Sequence, residues 1–216
     1  MRITSFGHAC LLVETADQRI LIDPGTFSPG FQDLTELDAV LVTHQHADHL
    51  DVDRLPALLD ANPEARLLVE PQAAEKLVAA DLAAQHLVAG EPTHVGAVEV
   101  TAVGQRHALI NEFIPRIDNL GVVLRAEGEP TFFHPGDAYD AEPGQVDVLA
   151  LPLNAPWAAS RDTNAFVRRI APRVAVPVHD ALLSPAGRGL YLSHVKNFGP
   201  EGMDLRDLYG GASTEI

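Results

Sequence analysis

The chain is a succession of short apolar runs, each cut off by Gly, Pro or Asp, and most have the length of strands rather than helices. Residues 2–6, 10–14 and 19–22 predict an antiparallel opening, with Asp17-Gln18 as the turn between the last two. Ala39-Val40-Leu41-Val42-Thr43 is apolar without alternation and stops abruptly at polar residues. That pattern predicts a strand buried on both faces, followed by a loop over 44–50. Leucines at 55, 58 and 59 share a helical face and predict a helix within 51–61, with Pro56 tolerated only near its start. A strand at 66–70 leads into a helix over 71–80, for which Pro71 occupies a favourable first position. Residues 95–103 read as one strand, and further strands are predicted at 121–125, 130–134, 146–151 and 174–178. Between the last two, Ser160 to Thr163 supply a cap for a helix carrying Phe166, Val167 and Ile170, which stops at Pro172. Met203, Leu205 and Leu208 predict a final amphipathic helix over 201–209. No repeat or low-complexity linker divides these elements, so one domain over 1–216 is expected.

At 216 residues, 46% of them hydrophobic, the chain is long enough to bury a core without covalent staples. Its single cysteine, Cys10, cannot form an intrachain disulfide, and its apolar neighbours mark it as inert core. The 15 basic and 30 acidic residues give a formal net charge of −15 at pH 7. A field of that sign repels nucleic-acid phosphates and anionic membranes, which favours a small-molecule substrate over nucleic acid. No uncharged stretch approaches the roughly 20 residues that span a bilayer, and Glu14 and Asp17 come too early for a signal peptide. A cytoplasmic protein is expected; no short feature specifies its oligomeric state.

Histidine changes the picture, because several of the ten stand at predicted strand ends. His44-Gln45-His46-Ala47-Asp48-His49 follows the buried strand directly. Residues two apart on extended backbone point the same way, so His44 and His46 can reach one metal while the turning chain offers Asp48 and His49 to a second. Neutral imidazole and carboxylate suit borderline divalent ions, zinc foremost. Two ions need more ligands than one loop offers. His107, Asp137 in His134-Pro135-Gly136-Asp137, and His179 in Pro177-Val178-His179 are the candidates, each after a predicted strand.

With these residues the chain resembles the metallo-β-lactamase superfamily of metal-dependent hydrolases. Phe6-Gly7-His8-Ala9-Cys10-Leu11-Leu12-Val13 and Leu21-Ile22-Asp23-Pro24 further resemble its compact branch, which includes ascorbate-6-phosphate lactonase. The resemblance covers residues 3–180. It implies an α/β four-layer αβ/βα sandwich with the metals at one sheet edge. It also implies that His44, His46 and His107 hold the first metal, that Asp48, His49 and His179 hold the second, and that Asp137 bridges them. Asp23 has two readings of equal weight: a carboxylate that orients the ligand loop, or an Asx turn before Pro24. His8 is expected to face the cleft. His134 reads as a partly buried strand residue, and His86, His94 and His194 as surface or packing residues.

The chemistry implied is hydrolysis. Two divalent ions, zinc or alternatively manganese, activate a water for attack on a small ester, lactone or phosphoester, with Asp48 accepting its proton. Arg116, in the loop 109–119, is a candidate for holding a substrate phosphate or carboxylate. The alternatives are a phosphodiesterase or RNA-processing nuclease of the same fold, an iron-dependent redox member, and a non-catalytic metal-binding protein.

Overall fold

The computed structural model describes all residues, 1–216. The first half forms β1 (Arg2–Ser5), β2 (Leu11–Thr15), β3 (Gln18–Ile22), β4 (Ala39–Val42), α1 (Leu55–Ala61), β5 (Arg66–Val69), α2 (Pro71–Val78) and β6 (Gln85–His86). The second half forms β7 (Pro92–Val95), β8 (Val98–Val103), β9 (Gly121–Arg125), β10 (Phe132–His134), β11 (Val148–Pro152), α3 (Ser160–Ile170), β12 (Val174–Val178), α4 (Pro185–Phe198), β13 (Asp204–Leu205) and β14 (Ser213–Glu215). One sheet has the order β14-β1-β2-β3-β4-β5-β6 and the other β13-β12-β11-β10-β9-β8-β7.

Alternation of side chains along the strands sorts the apolar residues into three packed layers. In β4, Ala39 and Leu41 point into the core shared by both sheets, where they join Ile20, Val100, Val122 and Val176. Val40 and Val42 point the other way, onto Leu55 and Leu58 of α1 and Ala73 and Leu77 of α2. On the far side of the second sheet, Phe133, Leu149 and Leu151 pack against Phe166 and Val167 of α3 and Val195 of α4. The result is a four-layer α/β sandwich with helices outside and two sheets face to face. The unbroken apolarity of β4 follows from its burial on both faces.

Several elements depart from the sequence expectation. The two-residue turn between β2 and β3 is Ala16-Asp17, both with positive φ (46° and 60°), one position earlier than expected. The stretch 95–103 is not one strand: Gly96 (φ 53°) turns the chain between β7 and β8, which pair as a hairpin over 92–103. At the start of α3 the cap comes from inside: Oδ2 of Asp162 accepts the backbone N–H of Ala159. Residues 201–209 are not helical. Asp204 and Leu205 pair with Val174 and Ala175 as an edge strand, Met203 and Leu205 pack on the α3–α4 side, and Leu208 enters the inter-sheet core. Three apolar residues serving two different layers imitate a helical stripe. The helix of this region is instead α4, capped by Ser184 and started at Pro185, with Gly187 and Gly189 weakening its sequence signal. Cys10 is fully buried, and burial pushes its thiol well above the ordinary range, as expected of inert core.

The loop after β4 is braced by the loop after β3. Thr26 donates to Ala47 O and Asp51 to Pro24 O. Gly25 lies so close that a Cβ there would fall 1.8 Å from the Asp48 carbonyl oxygen. Gly25→Ala must therefore displace backbone, and we expect a loss of about 3 kcal/mol in urea denaturation, at the upper end for overpacking.

Candidate metal centre

Strand direction assembles the site. β1 and β3 are both antiparallel to β2, β4 is parallel to β3, β8 and β10 are both antiparallel to β9, and β12 runs parallel to β10 through β11. The carboxyl ends of these strands therefore meet at one edge, the usual location of sites in α/β sheets. They deliver His8, Asp23, the 44–49 loop, His107, Asp137 and His179. Two groups of potential ligand atoms result: His44, His46, His107 and Asp137, and His8, Asp48, His49 and His179. Within each group the atoms lie within 4.8 Å of one another. The seven residues singled out by the motif are thus brought together, with His8 added to the second group.

The imidazoles are aimed by hydrogen bonds on their outer nitrogens. A carbonyl can only accept, so Nδ1 of His107 donates to Ala108 O (2.6 Å) and Nδ1 of His179 to Asn154 O (2.7 Å). Nδ1 of His49 meets Oδ2 of Asp23 at 2.7 Å. Thr43 Oγ1 gives its proton to the same Asp23 oxygen (2.7 Å) and so accepts from Nδ1 of His44 (3.1 Å). Four Nε2 atoms are thereby turned inward. His46 brings Nδ1 to 3.1 Å from Nε2 of His44.

Asp137 stands between the two groups. Its Oδ1 lies 3.1 Å from Nε2 of His49, and its Oδ2 lies 3.3 Å from His107 and 3.2 Å from His179. Nε2 of His49, His107 and His179 and Oδ1 of Asp137 are buried without a well-formed hydrogen bond. Orphaned buried polar atoms are costly and rare in folded proteins. Four of them facing one another, all able to ligate, fit a pair of divalent cations.

Charge supports the same arrangement. Burial alone would raise the Asp137 carboxyl, but the imidazoles of His179, His49 and His107 outweigh it and hold the group well below the usual range. For Asp48, the nearby imidazoles of His179 and His8 likewise override burial and lower the pKa. Burial would lower His49 and His179, yet Asp137 with Asp23 holds His49 well above its ordinary value, and Asp137 with Asp48 pushes His179 up to about 9. In His44 burial wins and the pKa falls far; in His46 it wins and the value drops to about 4.

Three of the eight non-glycine residues with positive φ lie here. His8, Asp23 and His179 all adopt positive φ, at 48°, 52° and 59°. Each costs on the order of 1–3 kcal/mol and persists because surrounding bonds fix it. His179 N donates to His8 O at 2.8 Å, joining the first and last of these residues. Gly136 (φ 61°) lets Asp137 approach, since a Cβ there would lie 2.2 Å from Asn119 Oδ1.

The remaining candidates have definite places. Asp23 is fully buried and its side chain accepts from Thr43 N (2.8 Å), Thr43 Oγ1 and His49, so it holds both ends of the 44–49 loop and makes no Asx turn. Nε2 of His8 lies 3.1 Å from Oδ2 of Asp48. Arg116 donates through Nε to the carbonyl of His107 and lies 3.9 Å from Asp140, so it buttresses a candidate ligand. His134 is fully buried, more so than expected, with Nε2 on Ala9 O and Nδ1 accepting from Gly136 N. His86 and His94 are exposed and His194 meets Ser160 Oγ, all outside both groups. Two contributors carry no sequence signal of their own. Asn119 accepts the N–H of Asp137, and the indole of Trp157 donates to Oδ2 of Asp137 at 2.9 Å.

A family model described as a beta-lactamase superfamily domain matches residues 2–179. A protein of Mycobacterium tuberculosis is 44% identical over 201 residues, covering 88% of this chain and 89% of its own length. A Xanthobacter autotrophicus protein named UPF0173 metal-dependent hydrolase is 31% identical over 202 residues, covering 83% of each chain. Among solved structures, the metallo hydrolase Igni18 of Ignicoccus hospitalis has a TM-score of 0.76 at 18% identity, over 100% of this chain and 98% of its own. An isothiocyanate hydrolase from Delia radicum gut bacteria has a TM-score of 0.74 at 17% identity, over 100% and 99%. The chain belongs to the beta-lactamase superfamily and, within it, to the UPF0173 metal-dependent hydrolases. No helix is long and apolar enough to cross a membrane.

Two outcomes follow from this geometry. Asp23→Ala frees His49 and Thr43 at once, and zinc affinity, measured by competition with a chelating dye, is expected to fall about 10- to 100-fold. Protons on His49 and His179 compete with any cation. Calorimetry in buffers of different ionisation enthalpy should therefore find about two protons released per filled centre at pH 7. Affinity should rise as the pH approaches 9, where His179 gives up its proton unaided.

Proposed function

We propose that the protein hydrolyses a small ester, lactone or phosphoester with the help of two divalent cations, zinc by preference and manganese as the alternative. In this reading His44, His46 and His107 would hold the first ion and Asp48, His49 and His179 the second, with Asp137 shared between them. The carrying observation is the convergence of four buried donor atoms that lack well-formed partners, on His49, His107, His179 and Asp137. Such a pair of ions acidifies a water and polarises the oxygen of the electrophile.

The chain's own groups do the rest. The Asp48 side chain is 22% exposed, against 2% or less for His8, His49 and His179, so it is the member of its group most open to an incoming water. It is ionised at neutral pH and acceptor-only. His8 holds Oδ2, which leaves Oδ1 to take the proton of the attacking water. The loop between His107 and Asn119 forms one wall of the cleft. Its Ile110, Ile114 and Ile117 line a small pocket with His46 and His107, which suits an apolar substituent on the substrate. The net charge of −15 favours a small molecule over a polyanion.

The test is removal and return of the metal. Protein stripped by a chelator should be inert on a panel of aryl esters, lactones and bis-p-nitrophenyl phosphate, and should regain turnover with zinc or manganese. Asp48→Asn, reloaded in the same way, should lose about 10²- to 10⁴-fold in kcat. Equal turnover before and after stripping overturns the proposal. Full metal occupancy without turnover on any substrate would favour a structural role, and turnover on RNA a nuclease.

A further inference from the structure

Trp157 lies just beyond β11 and is half-buried, in a segment to which the sequence gives no catalytic signature. Its Nε1–H reaches Oδ2 of Asp137 at 2.9 Å. The other polar groups facing that carboxylate are imidazole nitrogens of His49, His107 and His179. These differ from the indole in kind. An imidazole can shed its proton and turn its lone pair to a cation, withdrawing its positive N–H from the carboxylate. The indole nitrogen donates only, does not titrate near neutrality and has no lone pair to offer.

The indole is itself held rigidly. Its ring packs edge-on against Tyr139 at 4.8 Å, and Tyr139 stacks on Phe166 of α3 at 4.5 Å. The Tyr139 hydroxyl donates to Pro152 O at 2.6 Å, at the end of β11, and meets Thr163 Oγ1 at 3.0 Å. Trp157 thus stands on a strand end and a helix, and its ring also meets His107 edge-on at 6.2 Å. The opposite side of the carboxylate's segment is pinned by Asn119, which accepts Asp137 N–H.

We infer that Trp157 is a positioning residue for the metal centre. Its indole N–H fixes the rotation of the Asp137 carboxylate, keeping Oδ2 toward His107 and His179 and Oδ1 toward His49, so that the bridge is set before either ion arrives. The inference rests on the reading of Asp137 as the bridging ligand. Preorganisation of this kind appears as affinity, and loss of a hydrogen bond behind a ligand typically costs 10- to 100-fold.

Trp157→Phe keeps an aromatic ring against Tyr139 and removes only the donor. We expect it to melt close to the wild type in the presence of chelator and to bind zinc at least tenfold more weakly. Trp157 is also the only tryptophan in the chain, so a proton–nitrogen correlation spectrum contains a single indole signal. In wild-type protein that signal should exchange slowly with solvent and move as zinc is titrated, reaching its limit when both sites fill. This measurement stands even if the variant does not fold. A Trp157→Phe protein that binds zinc within twofold of wild type, or an indole proton that exchanges like free tryptophan and ignores zinc, overturns the inference. Asp137→Ala separates the two levels: if it binds two ions as tightly as wild type, the bridging role of Asp137 fails, whatever Trp157 does.

Discussion

A carboxylate buried in protein must be compensated or it becomes protonated, and the edge where the two sheets meet is organised around that requirement. Asp137 is 3% exposed and Asp23 fully buried. Each is surrounded by imidazoles, and each fixes the orientation of what surrounds it. Asp23 holds His49 and, through Thr43, His44 from behind. Asp137 faces His49, His107 and His179 from the front. The difference between them lies in satisfaction. Asp23 accepts a full set of hydrogen bonds, whereas Asp137 retains an oxygen with no well-formed partner. The outer carboxylate is structural and complete; the inner one is poised.

This division explains why strain is tolerated at His8, Asp23 and His179. Left-handed backbone at three non-glycine residues costs several kcal/mol in aggregate by ordinary magnitudes. It is offset by buried bonds such as those from Thr43 to Asp23 and from His179 N to His8 O. Residues that depart from local rules are expected where function is placed, and these three are a candidate ligand and two of its neighbours in the centre.

Much of this was legible from residue patterns, and what was not has physical causes. The apolar run 39–43 announces β4 because burial on both faces removes every polar residue from it, and the His-rich loop is anchored by that strand. His107, Asp137 and His179 are visible because each follows a strand. Trp157 and Asn119 are invisible because their contribution is one hydrogen bond each to a residue some 20 positions away, which leaves no periodicity. The α4 helix is obscured by Gly187 and Gly189, whose cost is met by packing rather than propensity. The 201–209 segment fails in the opposite sense. Its apolar spacing is helical, but Asp204 and Leu205 satisfy their backbone on β12, and tertiary pairing overrides the pattern.

The candidate ligands span positions 8 to 179, and the contact between His8 and His179 closes nearly the whole chain into a loop. A centre of this sort is built from long-range contacts, because distant segments must meet before any of its geometry exists. A chain emerging from the ribosome carries His44, His46, Asp48 and His49 long before β12 has been synthesised. Until then it presents those groups without the framework that gives them selectivity. Discrimination among ions is consequently a property of the finished scaffold, since both ligand groups exist only once β12 has joined its sheet.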